Sequence, residues 1–161
     1  MSEARFEALL ANARKSGATE ILFLAGEASD SLAHLRAEIA GRGFSGFVEL
    51  VRNACERALA AGLLPHTNIG AMSEHDFERL ADVNASMGLM LENIDDAFNR
   101  TVAPQKSVRG RLRTLEAAGR TRVPYTSGIL IGLGESRESR FRSLDALAEI
   151  HARHEIGRAH V

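Results

Sequence analysis

VPYTSGILIGLGESRESR, residues 123–140, is the stretch on which the fold turns. Its first half is an apolar run, the form a strand takes when a parallel sheet is covered on both faces. Its second half is charged and helical in spacing. Between them Gly132-Leu133-Gly134-Glu135 makes a glycine turn, and Ser136 stands where a helix N-cap belongs. The stretch therefore predicts a strand, a loop and a helix whose inward stripe is Phe141, Leu144, Leu147 and His151.

Moving outward, the same unit recurs. Ser2 caps a first helix carrying Phe6, Leu9, Leu10 and Ala13, and Ile21–Gly26 is the first strand. Leu32, Leu35 and Ile39 mark a short helix, and Phe47, Val48, Val51, Cys55 and Leu59 stripe a longer one that stops at Gly62. Leu63–Gly70 is a second strand. Ser73 and Asp76 form a capping-box pair before Phe77 and Leu80. Ala85–Asn93 is a third apolar run, followed by a helix over Ser107–Gly119 with Val108, Leu112 and Leu115 inward. Strand and helix alternate without a hairpin signal, so right-handed crossovers predict an α/β fold with a parallel sheet, open or curled toward a barrel.

Composition narrows the function. With 45% hydrophobic and 25% charged residues in 161, one sizeable core is expected. Twenty basic against 21 acidic side chains leave a net charge of -1, so no global field favours nucleic acid or an anionic membrane. No run approaches a membrane span, and MSEARFEALL lacks a signal peptide's regions, which predicts a cytoplasmic protein. The single cysteine, Cys55, lies on a helical core stripe and cannot by itself hold a metal or an iron–sulfur cluster.

In parallel sheets chemistry gathers at the strand C-termini. There the sequence places Gly26-Glu27, His66-Thr67-Asn68, Glu92-Asn93 and Gly132–Glu135. Glu27, Glu92 and Glu135 together favour a shared polar ligand, although each alone reads as an ordinary loop acid. His66 reads equally as a ligand or acid/base residue and as a histidine satisfied by the backbone. A dinucleotide fingerprint fails, because the third glycine of G-x-G-x-x-G falls on Arg137, and no Gly-Lys-Ser/Thr phosphate loop is present. Arg100, Lys106, Arg109, Arg111, Arg113, Arg120 and Arg122 read as a solvated helix face, with no interleaved aromatics to suggest nucleic acid. His151 and His154 read as surface residues.

GATEILFLAGE, GLLPHTNIGAMS, SMGLMLEN, APQKSVRGRLRTLEAAGR and VPYTSGILIGLGESRESR, in this order and spacing, resemble the radical S-adenosylmethionine subunit of the deazaflavin (FO) synthases, which form the chromophore of coenzyme F420. The resemblance implies a partial TIM-like radical S-adenosylmethionine barrel of about four consecutive strand–helix units. S-adenosylmethionine would lie across the strand ends, with Gly26 and Glu27 at its methionyl amine and Glu92 near its ribose and carboxylate. Gly128, Leu130, Gly132 and Glu135 match the family pattern G-x-I-x-G-x-x-E, leucine replacing isoleucine, and would flank the adenine.

His66 and Asn68 would face the substrate, an adduct of tyrosine and 5-amino-6-ribitylaminouracil. The chemistry implied is reductive cleavage of S-adenosylmethionine at a 4Fe–4S cluster, hydrogen abstraction from the adduct, and ring closure with ammonia loss. A partner synthase subunit is implied as well.

The family's C-x-x-x-C-x-x-C cluster motif does not occur here, so residues 1–155 are expected to be an incomplete core, lacking the cluster-binding part and the later strands. Ile156–Val161, IGRAHV, resembles a translated sequencing adapter and is read as a non-native tail. Two other readings compete. One is a related radical enzyme, either the partner subunit or a menaquinone-pathway homologue. The other is a nucleotide-binding α/β module without catalysis.

Overall fold

The computed structural model describes residues 2–27 and 31–155, so the expected tail at 156–161 lies outside the described residues. The elements are α1 (Glu3–Lys15), β1 (Glu20–Leu24), α2 (Ala33–Gly41), α3 (Phe47–Ala60), β2 (Leu64–Asn68), α4 (Glu74–Leu80), β3 (Ser86–Gly88), α5 (Asp96–Val102), α6 (Val108–Thr121), β4 (Tyr125–Thr126) and α7 (Arg137–His154). A short 3₁₀ turn, Ala81–Val83, follows α4.

The four strands form one parallel sheet in the order β1-β2-β3-β4, joined by helices. Parallel neighbours need a crossover, and each one here contains at least one helix. The caps expected from the sequence are in place. Ser2 and Ser136 accept N–H bonds from their helices' first turns, and Ser73 and Asp76 close a capping box; Ser107 caps α6 in the same way.

One face of the sheet is packed. Met87 and Tyr125 meet Phe77, Leu80, Val51, Cys55 and Leu115 in the main core, with Phe77 and Tyr125 edge to face at 5.6 Å. A smaller cluster of Phe6, Leu10, Ala58 and Leu63 fixes α1 against α3.

The structure departs from expectation at four places. First, β1 is not covered on both faces, since Leu22 and Leu24 are 52% and 68% exposed and Leu64 beside them is 51% exposed. Their alternation with half-buried Ile21 and Phe23 leaves one sheet face open. Second, the apolar runs at 85–93 and 123–132 contain only short strands. Glycine and proline interrupt their ladders, although one parallel bridge, Glu92 with Ile129, continues the pairing.

Third, α3 buries Val51, Cys55 and Ala58, while Leu59 is 40% exposed one position out of phase. Fourth, α7 turns Ser139, Ser143 and Ile150 inward and leaves Phe141 and Leu144 about half exposed. The two serines have partners that no apolar side chain could replace. Ser143 Oγ accepts the Ile94 N–H at 2.9 Å and Ser139 Oγ accepts from Asn93 Nδ2 at 3.2 Å.

Candidate ligand-binding site

The loops after the strands gather at one end of the sheet, and buried polar contacts join them. After β1, Glu27 forms an ion pair with Arg111 of α6 and accepts the Ala71 N–H at 3.2 Å from the loop after β2. Gly70 allows this approach. Its φ is +88°, and a Cβ there would sit 3.2 Å from Glu27 Oε2. Arg111 also donates to the Met90 carbonyl beyond β3, so one guanidinium ties the ends of β1 and β3 together. Its side chain is 3% exposed and its Nε is unpaired among the described residues.

Glu92 lies two residues beyond Met90 and is itself buried. Its φ is +66°, and the Asn93 N–H reaches back to the Leu91 carbonyl at 3.0 Å, closing a tight γ-turn. A non-glycine residue in that region costs of order 1–3 kcal/mol and persists only where its surroundings hold it. They do so here. Lys106 Nζ meets Glu92 Oε1 at 2.5 Å, while Asn93 is anchored to Ser139, Asp95 and Asn99.

Glu135 behaves differently. Its carboxylate turns back on its own loop and accepts the Gly132 N–H at 3.0 Å and the Leu133 N–H at 3.0 Å, with Arg140 at 3.4 Å. The Gly132 N–H foremost, with the other backbone donors, holds its carboxyl below the usual carboxylate range. Gly132 and Gly134, at φ +97° and +100°, supply the left-handed turns that this clasp needs. The clasped loop presents Ile131 and Leu133 outward, 62% and 57% exposed. Gly128 lies close to Met90, where a Cβ would meet its sulfur at 3.1 Å, and Leu130 donates its N–H to the Glu92 carbonyl at 2.8 Å.

His66 and Asn68 lie on the open sheet face, level with Leu22 and Leu24 of β1. The expected surface residue His154 instead meets Glu116 through Nε2 at 2.6 Å and packs on Gly119, joining α7 to α6. Cys55 is core as expected, its thiol pushed up to about 12 by burial.

The sequence therefore located Gly26, Glu27, Glu92 and Gly132 at one end of the sheet, with Gly128 and Leu130 named only through the resemblance, but it misplaced two cations. Arg111 and Lys106 read as part of a solvated basic face, whereas both turn inward onto the acids. A signal was available for Arg111, which lies in helical phase with Val108, Leu115 and Ala118, all buried. Two clefts lie elsewhere among the described residues. One, of about 740 Å³, borders the outer side of α6 by Arg109 and Arg113; the other, of about 730 Å³, follows the outer edge of β4 by Ser86 and Thr126.

No family model matches the sequence. Curated proteins do. A 7,8-didemethyl-8-hydroxy-5-deazariboflavin synthase of Methanosarcina acetivorans is 40% identical over 151 residues, 94% of this chain and 46% of the relative. Its counterpart in Methanothermobacter thermautotrophicus is 42% identical over 142 residues, 86% of this chain and 43% of the relative. The one in Halobacterium salinarum is 41% identical over 141 residues, covering 87% and 38%. The chain spans about half the length, or less, of the curated relatives it matches.

Proposed function

From this homology to the deazaflavin (FO) synthases, we propose that the chain forms the S-adenosylmethionine-binding part of such a synthase, built as part of a (β/α) barrel. The observation that carries the proposal is the pair of carboxylate–cation contacts, Glu27 with Arg111 and Glu92 with Lys106, on the ends of β1 and β3. S-adenosylmethionine brings an amine, a carboxylate, a ribose and an adenine. The zwitterionic amino-acid end of S-adenosylmethionine can exchange partners with such pairs, its amine taking Glu27 and its carboxylate taking Arg111 or Lys106. Glu92 then faces the ribose side.

Gly26 and Gly128 let backbone approach, Gly132 and Glu135 hold the loop, and Leu130 with its outward neighbours offers the adenine an apolar face. His66 and Asn68 face the substrate, for which we propose an adduct of tyrosine and 5-amino-6-ribitylaminouracil. When bound beside a reducing cluster, S-adenosylmethionine supplies radical chemistry; this chain's residues bind and orient it.

A four-iron cluster does not fit the residues of this chain. Cys55 is its one cysteine and lies wholly inside the core, and one thiolate does not hold such a cluster. That observation favours a second reading of the 161-residue chain taken alone, as a module that binds the nucleoside without cleaving it. Calorimetric titration of S-adenosylmethionine into the chain tests the common step. One-site binding is expected, weakened about tenfold or more by Glu27→Gln or Arg111→Leu, which remove charge-assisted contacts. Absence of saturable heat, or indifference to both substitutions, overturns the assignment of these residues.

A further inference from the structure

Among the described non-glycine candidate residues, Glu92 alone has a positive φ, at +66°. Its backbone is held from the side of β4, where its N–H donates to the Gly128 carbonyl at 3.2 Å and its carbonyl accepts the Leu130 N–H at 2.8 Å. The next residue is held from the side of the helices. Asn93 Nδ2 donates to Ser139 Oγ of α7 at 3.2 Å, its Oδ1 accepts the Asp95 N–H at 2.8 Å, and its carbonyl accepts Asn99 Nδ2 of α5 at 2.8 Å. With its own N–H on the Leu91 carbonyl, every polar group of Asn93 is engaged. Asn93 and Ser139 are 1% and 4% exposed.

Returning Glu92 to a relaxed negative φ would swing its side chain across the chain and away from Lys106 Nζ, its partner at 2.5 Å. That return also requires Asn93 to move, and Asn93 is tied to two helices and to its own loop. An asparagine suits the task because one amide offers a donor and an acceptor on separate branches, so it bonds the loop and α7 together.

We propose that Asn93 is a positioning residue of the S-adenosylmethionine site, and that Ser139 of α7 acts through it to keep the Glu92 carboxylate aimed at the ligand. Both act without touching the ligand. The inference rests on the reading of Glu92 as a ligand contact, and it makes the seating of α7 a determinant of affinity.

The test is calorimetric titration of S-adenosylmethionine into the full 161-residue chain, in a double-mutant cycle of Ser139→Ala with Glu92→Ala. Ser139→Ala is expected to weaken binding about three- to tenfold, the effect of one lost hydrogen bond. In the Glu92→Ala background, where no carboxylate is left to aim, it should add less than about twofold. A purely structural loss would weaken both backgrounds alike, and that result overturns the proposal.

A second measurement needs only the parent chain and stands even if Ser139→Ala does not fold. The backbone carbon resonances of Glu92 should report a left-handed residue before any ligand is added and keep that character at saturation. Extended values that turn left-handed only with ligand would show that the ligand sets the carboxylate, and overturn the positioning role. A parent chain that takes up no S-adenosylmethionine overturns the site reading and this proposal with it. Binding by the parent that Ser139→Ala leaves unchanged removes the positioning role alone.

Discussion

Glu135 shows how far a residue's role depends on where its backbone puts it. In the sequence it is the third of three acids spaced at strand ends; in the structure it clasps Gly132 and Leu133 and holds the loop between β4 and α7. Its lowered pKa has a defined consequence. The clasp contributes above the ordinary carboxylate range and is lost as pH falls through the folded-state value. In a pH titration of the amide signals, Gly132 and Leu133 should move together with a midpoint below that of a free glutamate. A midpoint at or above the free value would show that the carboxylate is not held by those N–H groups. Arg111 makes the converse point, because its charge suggested solvent while its phase along α6 placed it inside. An arginine can be buried when a carboxylate and a carbonyl receive its donors, as Glu27 and Met90 do here.

At the scale of elements, α7 inverts the usual ranking of its side chains. Apolar spacing nominated Phe141 and Leu144, yet the helix is rotated so that Ser139 and Ser143 bond the loop after β3. Ser143→Ala should therefore destabilise the chain by about 1–3 kcal/mol, since the Ile94 N–H is left without an acceptor. Leu144→Ala, on the outward face, should stay within about 0.5 kcal/mol of the parent. Urea unfolding of the two variants side by side decides the matter; if the leucine variant proves the weaker, the apolar stripe faces inward after all. Gly119 sets the same interface from the other side. A Cβ there would meet the His154 ring at 2.4 Å, so α6 and α7 pack at glycine distance.

At the scale of the molecule, the sheet is dressed on one side and bare on the other. Helices cover Phe23, Met87 and Tyr125, while Leu22, Leu24 and Leu64 remain accessible on the opposite face. Parallel sheets are ordinarily covered on both faces, so an apolar face of this kind is either a binding surface or a source of association. Leu24→Lys should leave the unfolding free energy within about 0.5 kcal/mol, because that side chain makes little of the core. It should also lower the fluorescence of a bound naphthalene-sulfonate dye and the light scattering of concentrated solutions. Loss of stability in that variant would mean that the face is packed. No described helix is long and apolar enough to cross a membrane.

Local chemistry by itself determined the alternation of strands and helices, the serine caps at Ser2, Ser73 and Ser136, the core position of Cys55 and the gathering of Gly26, Glu27, Glu92 and Gly132 at one end of a parallel sheet. Each of these depends on spacing along the chain or on a side chain bonding its own backbone, which a sequence displays directly. Tertiary structure alone decided which charges meet, which stripe of α7 turns inward, and which face of the sheet stays open. Arg111 reaches Glu27 across 84 positions of sequence, and Ser143 reaches Ile94 across 49. Contacts of that range depend on how elements rotate to satisfy buried donors and acceptors together, and no local pattern encodes that rotation.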